Sequence, residues 1–290
     1  MKKTIKKMSW FLISLIYLIL LCPSVAAQTG EVDAGGTENV GTQLRLPIVM
    51  YHHMSEKSRL WNDYVLPVDQ FERDLIYLKE KGYESIGVTD LLAWCAGKAV
   101  LPEKPVMITF DDGYKSTLCY AVPLLEEYGF KGVVAVIGSV CDLFTEQEDH
   151  NLDYAHLSWE DTRKLSFGDV LEVQCHTFNM HKLSPRKGCN KITGETFESY
   201  HEKLVQDLEL FEQRCEEYGV KTCPSVAFPF GFFSEDSISI LKEQGFLASF
   251  TCLEVVNKLS GSADELYTLG RYNRAYGKSS GEFFDRWEVS

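Results

Sequence analysis

From about residue 45 onward, short continuous apolar runs alternate with stretches whose apolar residues recur every three or four positions. The runs Pro47–Tyr51, Val106–Phe110, Gly132–Ile137, Val170–Gln174, Ser225–Phe228, Leu247–Thr251 and Leu266–Leu269 predict strands. Phe71, Leu75 and Leu78 predict a helix stopped at Gly82, and Leu118, Val122 and Leu125 one stopped at Gly129. Leu204, Leu208 and Phe211 lie on one face of a long helix over 196–218, and a further helix fits 235–244 before Gly245. Ser158-Trp159-Glu160-Asp161 has the pattern of a capped helix start. Strands apolar on both faces, alternating with helices, predict a parallel sheet covered by helices. A barrel and an open doubly wound sheet both satisfy this, but no GxGxxG follows the first strand, which counts against a dinucleotide fold. The polar residues favour the barrel. His52, Asp111-Asp112, His176, Pro229-Phe230 and Arg271 each follow the end of a predicted strand, and in a parallel barrel those ends converge on one rim.

The N-terminus reads differently. Four lysines precede an apolar run from Trp10 to Leu21, and Val25-Ala26-Ala27 offers small residues for cleavage, so residues 1–27 are expected to be a secretory signal peptide. The run is short for a membrane span of roughly 20 residues, which leaves an uncleaved signal anchor as the alternative and the only expected route to a membrane. Residues 28–44 lack apolar periodicity and contain four glycines, the pattern of a flexible tether. The folded domain is expected over 45–290, with no internal repeat.

Across 290 residues the formal charge is −13, and without the lysine-bearing leader it is −17. That excludes a general nucleic-acid surface and an anionic-membrane patch, and suits a neutral or cationic partner. Eight of the nine cysteines lie beyond Ala27 and none forms a CxxC pair, so a structural zinc site of familiar spacing is not expected. Export would permit disulfides, but no pairing follows from the sequence, and buried free thiols stand equally.

The chemistry gathers at the predicted rim. Thr109-Phe110-Asp111-Asp112-Gly113 places adjacent carboxylates at a strand end. Because adjacent side chains on an extended segment diverge, one acid can bind a metal while the other handles a proton. His176-Thr177-Phe178-Asn179-Met180-His181 carries two histidines five apart, which converge on one ion if the loop curls back. Two imidazoles and a carboxylate form a facial set that favours zinc and leaves cobalt or nickel open. By itself DDG is more often a solvated turn, and a histidine pair more often structural; together on neighbouring strand ends they point to a metal site.

TFDDG, the HTxxxH segment and FPFG, in that order, resemble the polysaccharide deacetylases, the NodB-homology domain of carbohydrate esterase family 4. The opening LPIVMYHHM is similar to the exported bacterial members, and the likeness spans about residues 46–276. The resemblance implies a distorted (β/α)7 barrel and metal-dependent removal of acetyl groups from sugars. It implies Asp111 as base, Asp112, His176 and His181 as metal ligands, and the Phe230 N–H as an oxyanion donor. Three departures follow. The histidine spacing of five resembles the subgroup acting on exported poly-N-acetylglucosamine. The arginine usual two residues before the motif proline is Ala227, with Arg271 the candidate replacement. No histidine lies beyond His201, so the general acid is expected from Tyr51-His52-His53, as in that subgroup. Strand alternation puts Ile48, Met50 and His52 on one face and Val49, Tyr51 and His53 on the other. Which face looks inward is open, and the resemblance favours His52. The expected activity is deacetylation of an N-acetylglucosamine-containing polysaccharide; peptidoglycan, chitooligosaccharide, acetylxylan or a non-sugar amide as substrate, and a catalytically silent glycan-binding barrel, are the rivals.

Overall fold

The computed structural model describes residues 43–288, so the signal-peptide and anchor readings of 1–27, and all of the tether but its last two residues, lie outside the described part. Leu44, the last residue of the expected tether, is already in a strand: Leu44–Leu46 pairs with Asn257–Leu259 as an antiparallel ribbon. Seven strands make up the main path of a parallel sheet, in chain order β1 (Ile48–Tyr51), β2 (Pro105–Phe110), β3 (Gly132–Val136), β4 (Leu171–Cys175), β5 (Ser225–Ala227), β6 (Ala248–Phe250) and β7 (Tyr272–Asn273), with the short Glu84–Ser85 pairing beside the start of β2. Their order across the sheet is β6-β5-β4-β3-β2-β1-β7. The chain before β7 also bridges the far edge, where Leu269 pairs with Phe250. Residues 269–273 thus touch both edges and curl the sheet round, as in a distorted barrel. Predicted strand 266–269 is therefore corrected: Leu266 ends a 3₁₀ turn, Thr268 is left-handed (φ 67°), and Leu269 contributes one bridge. Arg271 follows no strand end; it lies in the seam between the two pairings.

Helices cover the outside: α1 (Val68–Glu80), α2 (Val88–Cys95), α3 (Val122–Tyr128), α4 (Gly138–Gln147), α5 (Trp159–Ser166), α6 (Phe197–Tyr218) and α7 (Glu235–Glu243), with α8 (Ser280–Phe284) near the C-terminus. The expected signals operate at several ends. Ser158 and Asp161 form a capping box on α5, Thr196 caps α6 at Ser199 N–H, and Gly129 and Gly219 terminate α3 and α6 in the left-handed conformation. Helices α2, α4 and α8 had no sequence expectation.

Strand alternation divides the core in two. Ile48, Met107, Val133, Ala135, Ala227 and Phe250 face the barrel interior, while Val49, Tyr51, Ile108, Val134 and Val173 pack outward against the helices. Alternation continued past the strand ends carries His52, Asp111 and His176 inward, onto the rim. Among the described residues all eight cysteines are free thiols, and no helix is long and apolar enough to cross a membrane.

Candidate active site

The rim opens into a pocket of about 640 Å³ lined by His52, Asp111, Asp112, His176, His181 and Phe230, with further rings from Tyr64 and Tyr114. Asp112 (φ 68°) and Phe230 (φ 57°) in the pocket, and the buried Thr177 (φ 66°) next to His176, adopt left-handed backbone conformations uncommon for non-glycine residues. Such conformations persist where surrounding contacts over-determine them, and they cluster at functional sites.

Asp111 continues the β1–β2 ladder, its N–H donating to the Tyr51 carbonyl at 2.9 Å. Its carboxylate receives both ends of a fully buried guanidinium: Arg271 Nη1 donates to Oδ1 at 2.6 Å and Nη2 to Oδ2 at 2.8 Å. Arg271 Nε donates to the Thr251 carbonyl at 3.0 Å, which fixes the fork in the seam. Gly270 lets the seam close here, because a Cβ at that position would meet the Leu253 carbonyl at 2.5 Å. Burial alone would raise the Asp111 pKa, but the Arg271 charge and bidentate bonds, with His176, bring it below the usual carboxylate value. The structure thus delivers an arginine to Asp111 although β5 carries Ala227.

The two carboxylates do not point apart as expected for an extended segment. The strand ends at Phe110, and the left-handed turn at Asp112 brings both acids beside His176 Nε2, at 4.0 Å for Asp111 and 3.4 Å for Asp112. They still have separate partners, Arg271 for one and the histidines for the other.

Asp112, His176 and His181 present ligand atoms that all lie within 4.8 Å of one another. Asp112 Oδ1 lies 3.1 Å from His181 Nε2 and 3.4 Å from His176 Nε2, yet it is a buried oxygen with no hydrogen-bond partner. The reason lies on the other side of the His176 ring. Its Nδ1 is 2.8 Å from the Ala227 carbonyl, which can only accept, so Nδ1 carries a proton and in the neutral ring Nε2 turns a lone pair toward Asp112. Lone pairs facing a carboxylate oxygen repel unless a cation lies between them. The donor set fits a divalent metal ion.

His52 lies in the pocket, its ring edge-on to Tyr64 at 5.0 Å between centroids, with Nδ1 buried and unpartnered. Burial lowers its pKa, opposed by Asp111 and Asp112. His53 faces the other way. It is 4% exposed, hydrogen-bonds through Nδ1 to Ser116 Oγ at 2.9 Å and stacks on Tyr114. Burial, with His156, pushes the His53 pKa down to about 4, so it is neutral at pH 7. Phe230 packs its ring on His181 at 4.3 Å between centroids and lines the pocket.

Sequence reasoning missed Asp207, on α6. Its carboxylate accepts the N–H groups of Phe178 and Asn179 at 2.7 and 2.8 Å, inside the histidine loop. A signal was available: Leu204, Asp207, Leu208 and Phe211 follow the helical i, i+3, i+4, i+7 spacing, so an acid occupies the apolar stripe.

The family model for polysaccharide deacetylase matches residues 98–249. YxkH of Bacillus subtilis (strain 168), which carries a polysaccharide deacetylase name, is 23% identical over 261 residues, covering 90% of this chain and 82% of the relative. The poly-beta-1,6-N-acetyl-D-glucosamine N-deacetylase of Staphylococcus aureus (strain MRSA252) is also 23% identical over 261 residues, covering 84% of this chain and 86% of its own length. Among solved structures, IcaB from Ammonifex degensii superposes with a TM-score of 0.65 at 24% identity, over 84% of this chain and 94% of that one. The last likeness shows the fold.

Proposed function

From the premise that the chain belongs to the polysaccharide deacetylase family, hydrolases of carbon–nitrogen bonds other than peptide bonds, we propose that it is an exported, metal-dependent N-deacetylase of an N-acetylglucosamine-containing polysaccharide. One observation carries the chemistry: an unpartnered Asp112 oxygen faces His176 and His181 beside an Asp111 held by Arg271. Relatives named for poly-beta-1,6-N-acetyl-D-glucosamine and the five-residue histidine spacing support that polymer as substrate. The lysine-flanked apolar segment within residues 1–27 supports export.

Asp112, His176 and His181 would hold the ion, with zinc favoured by one carboxylate and two imidazoles and cobalt or nickel as alternatives. Bound there, a divalent ion supplies a Lewis acid for the acetyl carbonyl and lowers the pKa of water toward neutrality. Asp111, ionised at neutral pH, takes the proton of the attacking water. Arg271 keeps both carboxylate oxygens oriented, so the base does not rotate away. The Phe230 backbone N–H donates to the oxyanion as it forms. His52 gives a proton to the leaving nitrogen, because an amide anion is a very poor leaving group. Burial lowers the His52 pKa, opposed by Asp111 and Asp112, so the ring takes its proton from solvent as negative charge grows on the substrate beside it, and Asp111 returns the water's proton to solvent once acetate has left.

The rival silent barrel draws its support from the missing motif arginine and the unassigned general acid; the Arg271–Asp111 pair answers the first, and the leaving-group test below addresses the second. Acetate release from a panel of acetylated glycans, with and without a chelator, tests the reading. Turnover should be greatest on poly-N-acetylglucosamine, stop on chelation and return with zinc. Glycan binding without turnover, insensitive to chelation, would favour the silent module; preference for peptidoglycan, chitooligosaccharide or acetylxylan would reassign the polymer.

The acid is tested by leaving group. His52→Ala should keep its metal and slow amide hydrolysis about 10²–10⁴-fold, the range for lost general acid catalysis. An activated aryl acetate, whose aryl oxide departs without a proton, should be slowed far less. Equal losses on both substrates would remove His52 from the role.

A further inference from the structure

The two metal-binding histidines lie on one loop, and a spacing of five gives that loop no regular structure to hold it. His176 directly follows the end of β4 and is oriented by the Ala227 carbonyl. His181 has neither support and depends on the path of residues 177–180. That path begins with Thr177, a β-branched residue in the left-handed region, so the loop is held against a local preference.

Its backbone groups are tied down one by one. The carbonyls of Thr177 and Phe178 accept the N–H groups of Gly138 at 3.1 Å and Ser139 at 2.8 Å, the first residues of α4. Gly138 permits this approach, because a Cβ there would lie 2.4 Å from the Phe178 ring. Thr177 Oγ1 accepts the Met180 N–H at 3.2 Å. The amides of Phe178 and Asn179 remain, and both donate to Asp207, one to each carboxylate oxygen. A carboxylate matches two successive amides pointing the same way, whereas Asn offers one oxygen and turns an NH₂ against a donor. Hydrogen bonds to an ionised acceptor are also the shorter and stronger kind.

We propose that Asp207 is a positioning residue for the metal: by holding the amides of Phe178 and Asn179, it sets the reach of His181 toward Asp112 and His176. The inference rests on reading those three residues as metal ligands. It makes α6, a helix outside the barrel, part of the metal site.

The test measures zinc affinity of the purified protein by competition with a chromophoric chelator, and the visible spectrum of the cobalt-loaded form. Wild type must bind one ion; failure there sinks the ligand reading and this inference with it. Given wild-type binding, Asp207→Asn should bind zinc about 10–100-fold more weakly, the usual range when a residue supporting a ligand is removed. Its cobalt spectrum should change, while the thermal midpoint of the metal-free protein stays close to wild type. In a His181→Ala background the same substitution should add nothing, because the residue it positions is gone. Wild-type affinity and spectrum in Asp207→Asn, or an equal loss in both backgrounds, would overturn the proposal. Should Asp207→Asn fail to fold, Asp207→Glu displaces the same carboxylate by one methylene; the weaker zinc binding expected of it would support the proposal, and unchanged affinity would overturn it.

Discussion

Asp111→Asn is expected to lower kcat for acetyl release by about 10²–10⁴-fold, the usual worth of a general base, while metal content stays at the wild-type level. The amide retains the shape of the carboxylate and one acceptor for Arg271, but it cannot take a proton from water. Metal content should survive because Asp111 is engaged by Arg271 at 2.6 and 2.8 Å, whereas Asp112 is the acid nearest both imidazoles. Steady-state kinetics and metal analysis on the same preparation decide the point. A variant that lost its metal would show that the two carboxylates do not divide the work as proposed.

The second large effect concerns stability rather than turnover. Asp74, on α1, and Arg274, after β7, form a fully buried ion pair, with Nε to Oδ2 at 2.8 Å and Nη2 to Oδ1 at 3.0 Å. Tyr51 and Ser280 hydroxyls donate to the same carboxylate at 3.0 and 2.7 Å, so it ties β1, α1 and the C-terminal segment together. Asp74→Ala leaves the Arg274 charge buried without its partner, which typically costs about 3–5 kcal/mol. For a domain of this size that lowers Tm by roughly 6–20 °C. Since Asp74 lies on the outer side of the sheet, zinc content of the folded fraction should not change. Thermal unfolding of the two proteins checks it; a shift of a degree or two would mean the pair is largely hydrated in solution.

Asp74 and Asp207 show the same limit of sequence reading. Each occupies an apolar stripe: Phe71, Asp74, Leu75 and Leu78 on α1, and Leu204, Asp207, Leu208 and Phe211 on α6. Periodicity marks both acids as misplaced but cannot name a partner 200 residues away, or a loop 28 residues upstream. Arg271 differs in part. It was singled out as the substitute for the arginine absent at Ala227, but through a strand at Leu266–Leu269 that does not form. Apolar residues at 266 and 269 suggested the strand, yet Leu266 closes a turn and Leu269 supplies one bridge. The arginine reaches Asp111 from the seam between sheet edges, a place with no local signature.

What the sequence determined by itself was whatever depends on neighbours along the chain. Continuous apolar runs specified six of the seven parallel strands, because a strand buried on both faces must be apolar on both. The strand-end motifs specified Asp111, Asp112, His176 and His181 as one chemical set, since parallel strands deliver their ends to the same rim. Alternation separated His52 from His53, two residues that cannot share a face. Tertiary structure decided which face is inside: Ile48 packs in the barrel interior and Met50 lines the pocket, so His52 reaches the pocket while His53 goes to Ser116. It also decided which arginine holds Asp111 and which acid holds the histidine loop, because a buried charge takes the partner the fold brings within about 3 Å, however far apart the two lie in the chain.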